Sequence, residues 1–175
     1  PAEERLGNIR IRRVPLPAHQ SGTVDQSLSF LSYVRGVFSL TRGESYDLVY
    51  ASSSRLMVAV LGNLISRIKQ APLYLDIRDM FVDTITDVFP GQITTNIALP
   101  FLSRLERSAI YRASRVNLVS GGFLPYFKKN FPAAKLSVHT NGIDNEFLEV
   151  APNTRTKISK MVPEVLYAGN IGEGQ

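Results

Sequence analysis

The chain has 175 residues, about the size of one ordinary domain, and its composition, 44% hydrophobic and 20% charged, is typical of a globular fold. It has no cysteine, which excludes a disulfide scaffold, a cysteine nucleophile and thiolate metal sites. The formal charge of +5 favours an anionic partner, such as nucleic acid, membrane headgroups or a phosphorylated small molecule, unless it is simply a soluble basic surface.

The first half of the chain predicts three strands and two helices. An alternation of apolar and charged residues over Ile9–Val14 predicts a half-buried strand, which Pro15 ends. Apolar residues at helical spacing from Leu28 to Phe38 then predict an amphipathic helix. A strand at 48–51, a second helix at 56–68 and a third strand at 73–77 follow.

The second half of the chain continues the same alternation. Residues 83–95 show little periodicity and predict a loop. Helices are predicted next, each followed by a strand, and a last strand comes after a polar stretch. The predicted helices are 97–113 and 123–130, and the predicted strands are 116–119, 137–140 and 165–168.

Strands that alternate with helices through short connections predict an α/β fold, a Rossmann-like parallel β-sheet with helices on both faces. In such sheets ligands bind beyond the carboxyl ends of the strands. The segments at those ends carry small, hydroxylated, amide or charged side chains, which suit a polyhydroxylated or phosphorylated ligand. These segments are Ser52-Ser53-Ser54, Arg78-Asp79, Ser120-Gly121-Gly122, Asn141-Gly142 and Gly169-Asn170.

Arg78 and Asp79 are the most informative pair among these segments. Asp79 is a candidate catalytic base or partner of a sugar hydroxyl, and Arg78 is a candidate to hold an anionic group. The alternative is an ion pair that caps the next segment. Ser52 and Ser53 are candidates to offer hydroxyls to a ligand, or they cap the helix that follows.

Further candidates lie at the later strand ends. Ser120, Gly121 and Asn141 are candidate binding residues, although Asn141-Gly142 is also typical of an ordinary turn. The segment Gly169-Asn170-Ile171-Gly172 follows a predicted strand, so its backbone N–H groups are candidates to approach a phosphate. Its spacing differs from the dinucleotide fingerprint, and an ordinary tight turn is the alternative.

A short aromatic helix is the one candidate for membrane contact. Four aromatic residues and two lysines occur between Phe123 and Phe131. On an anionic bilayer the rings would lie in the interface and the lysines near phosphates. The alternative is a helix that faces the core with its lysines in solvent. The candidate contact residues are Phe123, Tyr126, Phe127, Lys128 and Lys129.

Six stretches, considered by their order and spacing, cover most of the chain from about residue 9 to 175. They are Ile11–Pro15, Tyr46–Ser54, Leu75–Phe81, Glu106–Ser120, Asn141–Phe147 and Val165–Gln175. Together they resemble the N-terminal half of the retaining glycosyltransferases of GT-B family 4. Within that family they resemble the bacterial enzymes of lipopolysaccharide, O-antigen and exopolysaccharide synthesis.

The resemblance implies two Rossmann-like halves, of which the N-terminal half binds the acceptor and the C-terminal half binds the nucleotide-sugar donor. Residues 1–160 would form the acceptor-side domain, and residues 161–175 would open the donor domain. Asp79 would lie near the reacting sugar, and no metal or other cofactor is expected. The acceptor side would use Ser52, Ser53, Arg78, Ser120, Gly121 and Asn141, and the donor side Gly169, Asn170 and Gly172.

The resemblance also implies that the first strand of the family precedes Pro1 and that its E-x7-E motif follows Gln175. We therefore expect the chain alone to show no transferase turnover. For the parent enzyme, the resemblance implies sugar transfer with retention to a saccharide acceptor, lipid-diphosphate-linked, in cell-surface polysaccharide synthesis. Its expected location is the cytoplasm, peripheral at the inner face of the cytoplasmic membrane.

Two other functions remain as alternatives. A sugar-nucleotide epimerase of the same fold would need its own acid/base pair, for which only Asp79 is an obvious candidate. A non-catalytic module that binds RNA or another anionic polymer would need aromatic and basic residues interleaved on an exposed sheet face. The apolar strands are expected to be buried instead, which argues against that module.

Overall fold

The computed structural model of the chain describes residues 3–16, 23–53, 55–81 and 99–148. These residues form two sheets, six strands and five α-helices. In chain order the elements are β1 (Glu3–Leu6), β2 (Ile9–Arg12), α1 (Thr23–Thr41), β3 (Val49–Ser53), α2 (Leu56–Lys69), β4 (Leu73–Ile77), α3 (Leu99–Arg112), β5 (Arg115–Leu118), a 3₁₀ turn (Gly121–Phe123), α4 (Leu124–Asn130), β6 (Leu136–Val138) and α5 (Asn145–Leu148).

The main sheet has four parallel strands in the order β3-β4-β5-β6, which is also their order along the chain. A helix lies between each pair of successive strands, because parallel neighbours need a crossover connection. Asp76 of β4 lies between Ser52 of β3 and Asn117 of β5. All four strands therefore end at one edge, and the predicted Rossmann-like parallel sheet is confirmed.

The two faces of this sheet differ in chemistry, because successive side chains of a strand point to opposite faces. One face carries fully buried apolar residues such as Leu75, Val116 and Leu118. Helices α2, α3 and α4 cover that face and add Ala59, Ala109, Ile110 and Phe127 to the same core. The opposite face, called here the polar face, carries Tyr50, Ser52, Tyr74, Asp76 and Asn117.

The N-terminal strand differs in part from its prediction. Residues Ile9–Arg12 pair with Glu3–Leu6 in an antiparallel hairpin, separate from the parallel sheet. The predicted strand is confirmed over Ile9–Arg12, where Ile9 is 60% exposed and Ile11 and Arg12 are half-buried. Ion pairs between the strands, such as Arg10 Nε to Glu3 Oε1 at 2.8 Å, hold the hairpin. The spacing of apolar residues in a sequence does not reveal ion pairs of this kind.

The aromatic helix also differs from the membrane interpretation. Phe127 is fully buried in the core beside Phe131, which is 2% exposed. A side chain that the protein already covers cannot lie in a bilayer interface, so membrane contact through Phe127 was wrong. Phe123 and Tyr126 are half-buried and pack against the same core. Lys128 and Lys129 are exposed, and membrane contact through them stays a prediction.

Several predictions lie outside the described residues. These are the loop at 83–95, the strand at 165–168, the domain boundary after residue 160, and the donor-side residues Gly169, Asn170 and Gly172. In the part of the chain that is described, the search for a helix able to cross a membrane finds no candidate.

Candidate functional site

Arg78 connects three strand ends at the carboxyl edge of the sheet. Its Nε donates to Ser52 Oγ at 2.9 Å, and its Nη2 donates to Asn141 Oδ1 at 3.1 Å. The same Nε lies 3.4 Å from Asp76 Oδ2. Three predicted site residues, Ser52, Arg78 and Asn141, therefore meet although they are far apart in sequence.

Asp76 is the carboxylate that Arg78 approaches, and it is buried, with 4% of its surface exposed. Asn117 Nδ2 donates to its Oδ1 at 2.7 Å, and Ser52 Oγ donates to its Oδ2 at 3.1 Å. Burial raises the pKa of Asp76, but hydrogen bonds from Asn117, Tyr50 and Ser52 and the charge of Arg78 outweigh it. The pKa is therefore lowered, and the group is a carboxylate at neutral pH.

Asn117 joins the buried carboxylate to the end of the next strand. Its Nδ2 also donates to the His139 carbonyl at 3.1 Å, and its Oδ1 accepts from the His139 backbone N–H at 2.8 Å. Asn117 is 4% exposed, so these bonds satisfy a side chain that is cut off from water. The segment that leads to Asn141 is thereby held beside Arg78.

Two tyrosines extend the site along the polar face. Tyr50 and Tyr74 are direct neighbours in the β3–β4 register, and their rings stack at 5.6 Å with an interplanar angle of 25°. Tyr50 is 59% exposed. Desolvation and hydrogen bonding to Asp76 raise the pKa of Tyr50, so its hydroxyl keeps its proton at neutral pH.

A cavity of about 500 Å³ unites these residues. The two tyrosines line one part of it, and Arg78, His139 and Asn141 line another. A larger hollow of about 810 Å³ lies at the opposite edge of the sheet, lined by residues such as Gln70 and Ser114. We assign the functional site to the smaller cavity, because it extends along the polar face to the carboxyl edge and has convergent polar groups.

Ser53 does not belong to this site as predicted. It is fully buried, and its Oγ donates to the Arg55 carbonyl at 2.6 Å. Successive strand residues face opposite sides, so only one serine of the pair can reach the polar face. Ser52 does so, and the prediction that the Ser53 side chain binds a ligand was wrong.

The remaining predicted residues lie near the same edge but outside the cavity. Asp79 is exposed and does not line it, so its catalytic role stays a prediction. Ser120 Oγ accepts from the Gly122 backbone N–H at 3.1 Å and caps the 3₁₀ turn. Gly121 is exposed, with no atom within 4 Å of where a Cβ would stand. Binding roles for Ser120 and Gly121 also stay predictions.

Sequence reasoning missed Asp76, Asn117 and the two tyrosines of the polar face. The sequence did contain a signal for them, because polar or aromatic residues occupy alternate positions of the short strands. These positions are 50 and 52, then 74, 76 and 78, and finally 117. A search among the described residues for three or more His, Asp or Glu side chains placed to hold a metal ion finds no group.

The fold and this edge define a class of protein, a Rossmann-like domain with a polar ligand site at the carboxyl ends of its strands. Residues 1–142 match the family described as glycosyl transferase 4-like domain, and the chain belongs to that family. The matched range contains the four strands of the sheet and every residue from Tyr50 to Asn141 that lines the site. No curated protein matches the chain.

Proposed function

We propose that the chain is the acceptor-side part of a retaining glycosyltransferase that transfers a sugar from a nucleotide sugar to a saccharide acceptor. The contact of Arg78 with Ser52 and Asn141 carries this proposal. The match to a glycosyltransferase family supports it. The acceptor is lipid-diphosphate-linked, and the pathway is cell-surface polysaccharide synthesis.

The hydrogen-bonding groups of the site suit a polyhydroxylated acceptor. Arg78 offers several N–H donors in a planar fork, and Asn141 offers both a donor and an acceptor. The carboxylate oxygens of Asp76 already accept hydrogen bonds from protein groups. Asp76 therefore orients Arg78 and is not a candidate for the acid or base of the reaction. Orientation of the acceptor hydroxyl is the contribution to catalysis that this arrangement supports.

In this proposal the sugar is transferred just outside the cavity, at the carboxyl edge of the sheet. Asp79 is the proposed base or partner of the reacting hydroxyl, and its exposure at the end of β4 supports access to a substrate. The donor is held by residues that include Gly169, Asn170 and Gly172, with no metal. The exposed Lys128 and Lys129 support attachment to an anionic membrane surface.

One observation favours a second candidate, a module that binds single-stranded nucleic acid. On the polar face Tyr50 is 59% exposed and lines the cavity with Tyr74 and Arg78, so the expectation of a buried strand was wrong for this part of β3. Aromatic and basic groups on an exposed sheet are typical of RNA-binding domains. Filter binding at two salt concentrations tests this candidate, because binding to phosphates weakens steeply with salt.

The proposed reaction is tested with the full-length protein that contains this chain. It is incubated with a panel of nucleotide sugars and lipid-linked saccharide acceptors, and NMR identifies the anomeric configuration of the product. We expect transfer with the configuration of the donor retained. Hydrolysis or epimerisation of the donor without transfer to any acceptor would contradict the proposal. We expect the 175-residue chain alone to give no turnover.

A further inference from the structure

We propose that Tyr50 and Tyr74 form a stacking platform for an uncharged pyranose ring of the acceptor. This inference rests on the proposed function, since it names the chemical class that the acceptor site binds. The tyrosines occupy equivalent positions of two neighbouring strands, and neither belongs to the hydrophobic core.

The platform is held by the contact between its two rings and lies beside the buried carboxylate of Asp76. The Tyr50 side chain interacts with the carboxylate of Asp76 closely enough to raise the pKa of Tyr50, and Asn117 and Ser52 hold that carboxylate in turn. The rings stack on one another at 5.6 Å, so each limits rotation of the other. Tyr50 remains 59% exposed and lines the cavity, so its ring surface is available to a ligand.

A pyranose ring matches both parts of the cavity. One face of many pyranoses presents C–H groups, which pack on an aromatic ring, while hydroxyl groups surround the ring edge. Arg78, His139 and Asn141 line the same cavity and can hydrogen-bond such hydroxyls. An apolar surface beside a few placed polar groups is the usual composition of a small-molecule site.

The charge of the cavity favours a neutral ligand over a phosphate. Asp76 and Arg78 are its charged lining residues, and their side chains lie 3.4 Å apart. Their opposite charges cancel, although the chain as a whole has a formal charge of +5. A phosphate would approach a buried carboxylate without a surplus of positive charge. The diphosphate of a lipid-linked acceptor therefore lies outside this cavity.

The test is saturation-transfer NMR with the 175-residue chain and the methyl glycosides of glucose, galactose and N-acetylglucosamine. We expect at least one glycoside to bind with saturation concentrated on the C–H protons of one ring face. Inorganic phosphate at equal concentration should not displace it. Uridine serves as a competitor, because a nucleobase also stacks on aromatic rings.

Matched variants separate the ring from its hydroxyl. Tyr50→Leu and Tyr74→Leu should each weaken glycoside binding by about tenfold or more, whereas Tyr50→Phe and Tyr74→Phe should stay within about threefold. The control is Tyr111→Leu, because Tyr111 is a tyrosine of α3 that is 45% exposed and does not line the cavity. Circular dichroism confirms that each variant is folded.

The inference is overturned if no glycoside binds, if the leucine variants bind like the wild type, or if phosphate or uridine displaces the sugar. Its failure can be told apart from failure of the proposed function. If leucine variants of the full-length enzyme show normal transfer and an unchanged KM for the acceptor, the stacking platform is contradicted and the proposed transferase function stands. If glycosides bind at the tyrosines but the full-length protein transfers no sugar, the proposed transferase function is contradicted and the platform stands.

Discussion

Asn117 and His139 are joined by two hydrogen bonds, in which the side-chain amide of Asn117 both accepts from and donates to the His139 backbone, at 2.8 and 3.1 Å. The pairing continues the β5–β6 contact one residue beyond the end of β6 at Val138. The same amide holds Asp76 at 2.7 Å. One side chain thus connects the buried carboxylate to the segment that carries Asn141.

Removal of this amide should loosen the edge of the sheet. Asn117→Ala leaves Asp76 and the His139 backbone without their partner, and we expect the free energy of unfolding to fall by about 2 to 3 kcal/mol. Urea denaturation followed by circular dichroism measures it. Ser137→Ala is the control, since its Oγ makes a 3.4 Å contact to the Val116 carbonyl and its loss should cost less than about 0.5 kcal/mol. Equal effects of the two substitutions would contradict the assigned role.

The lowered pKa of Asp76 makes part of the stability depend on pH. A carboxylate whose pKa is lowered by folding stabilises the protein above its ordinary pKa of 3.8, and loses this effect as pH falls through the folded value. Asp76→Asn should therefore destabilise the chain by about 2 kcal/mol at pH 7 and by clearly less at a pH well below 3.8. Urea unfolding at the two pH values measures the difference. The same loss at both would show that the charge of Asp76 contributes nothing.

The buried position of Phe127 gives a strong prediction on α4. Phe127→Ala should lower the free energy of unfolding by about 3 to 5 kcal/mol, because it leaves a cavity in the core. Phe101→Ala is the matched control, since Phe101 is 60% exposed on α3 and its loss should cost at most about 0.5 kcal/mol. Thermal unfolding monitored by circular dichroism compares the two variants. A small effect at Phe127 would restore the membrane interpretation of its ring.

The fold was predictable because its strands and helices have strong and different periodicities. Leu73–Ile77 and Leu56–Lys69 were found within one or two residues, and the parallel sheet followed from their alternation. The strand Ile9–Arg12 was predicted, but its hairpin partner Glu3–Leu6 was missed, since all four of its residues are exposed and its sequence has no apolar alternation. Apolar patterns report burial, and this hairpin buries little.

The candidate site was predictable at its edge but not in its interior. Arg78 and Asn141 follow strands, and the rule for parallel sheets placed them together. Asp76 and Asn117 were missed because each lies within a short strand that was expected to be apolar and buried. Ser53 was wrongly included because the sequence did not show which residues of β3 face the polar side of the sheet, and this depends on how β3 pairs with β4. The register with β4 shows which face each side chain of β3 occupies.

The central claim is that Arg78 holds the acceptor and does not hold the donor. Steady-state kinetics of the full-length enzyme test it with Arg78→Ala, and with Arg112→Ala as a control for an exposed arginine remote from the cavity. Because hydrogen bonds to a charged group contribute about 1.5 to 3 kcal/mol, Arg78→Ala should raise the KM for the acceptor by about tenfold or more. The KM for the nucleotide sugar should stay unchanged, and Arg112→Ala should change neither constant. An unchanged KM for the acceptor in Arg78→Ala, or a rise in the KM for the nucleotide sugar alone, would contradict the account.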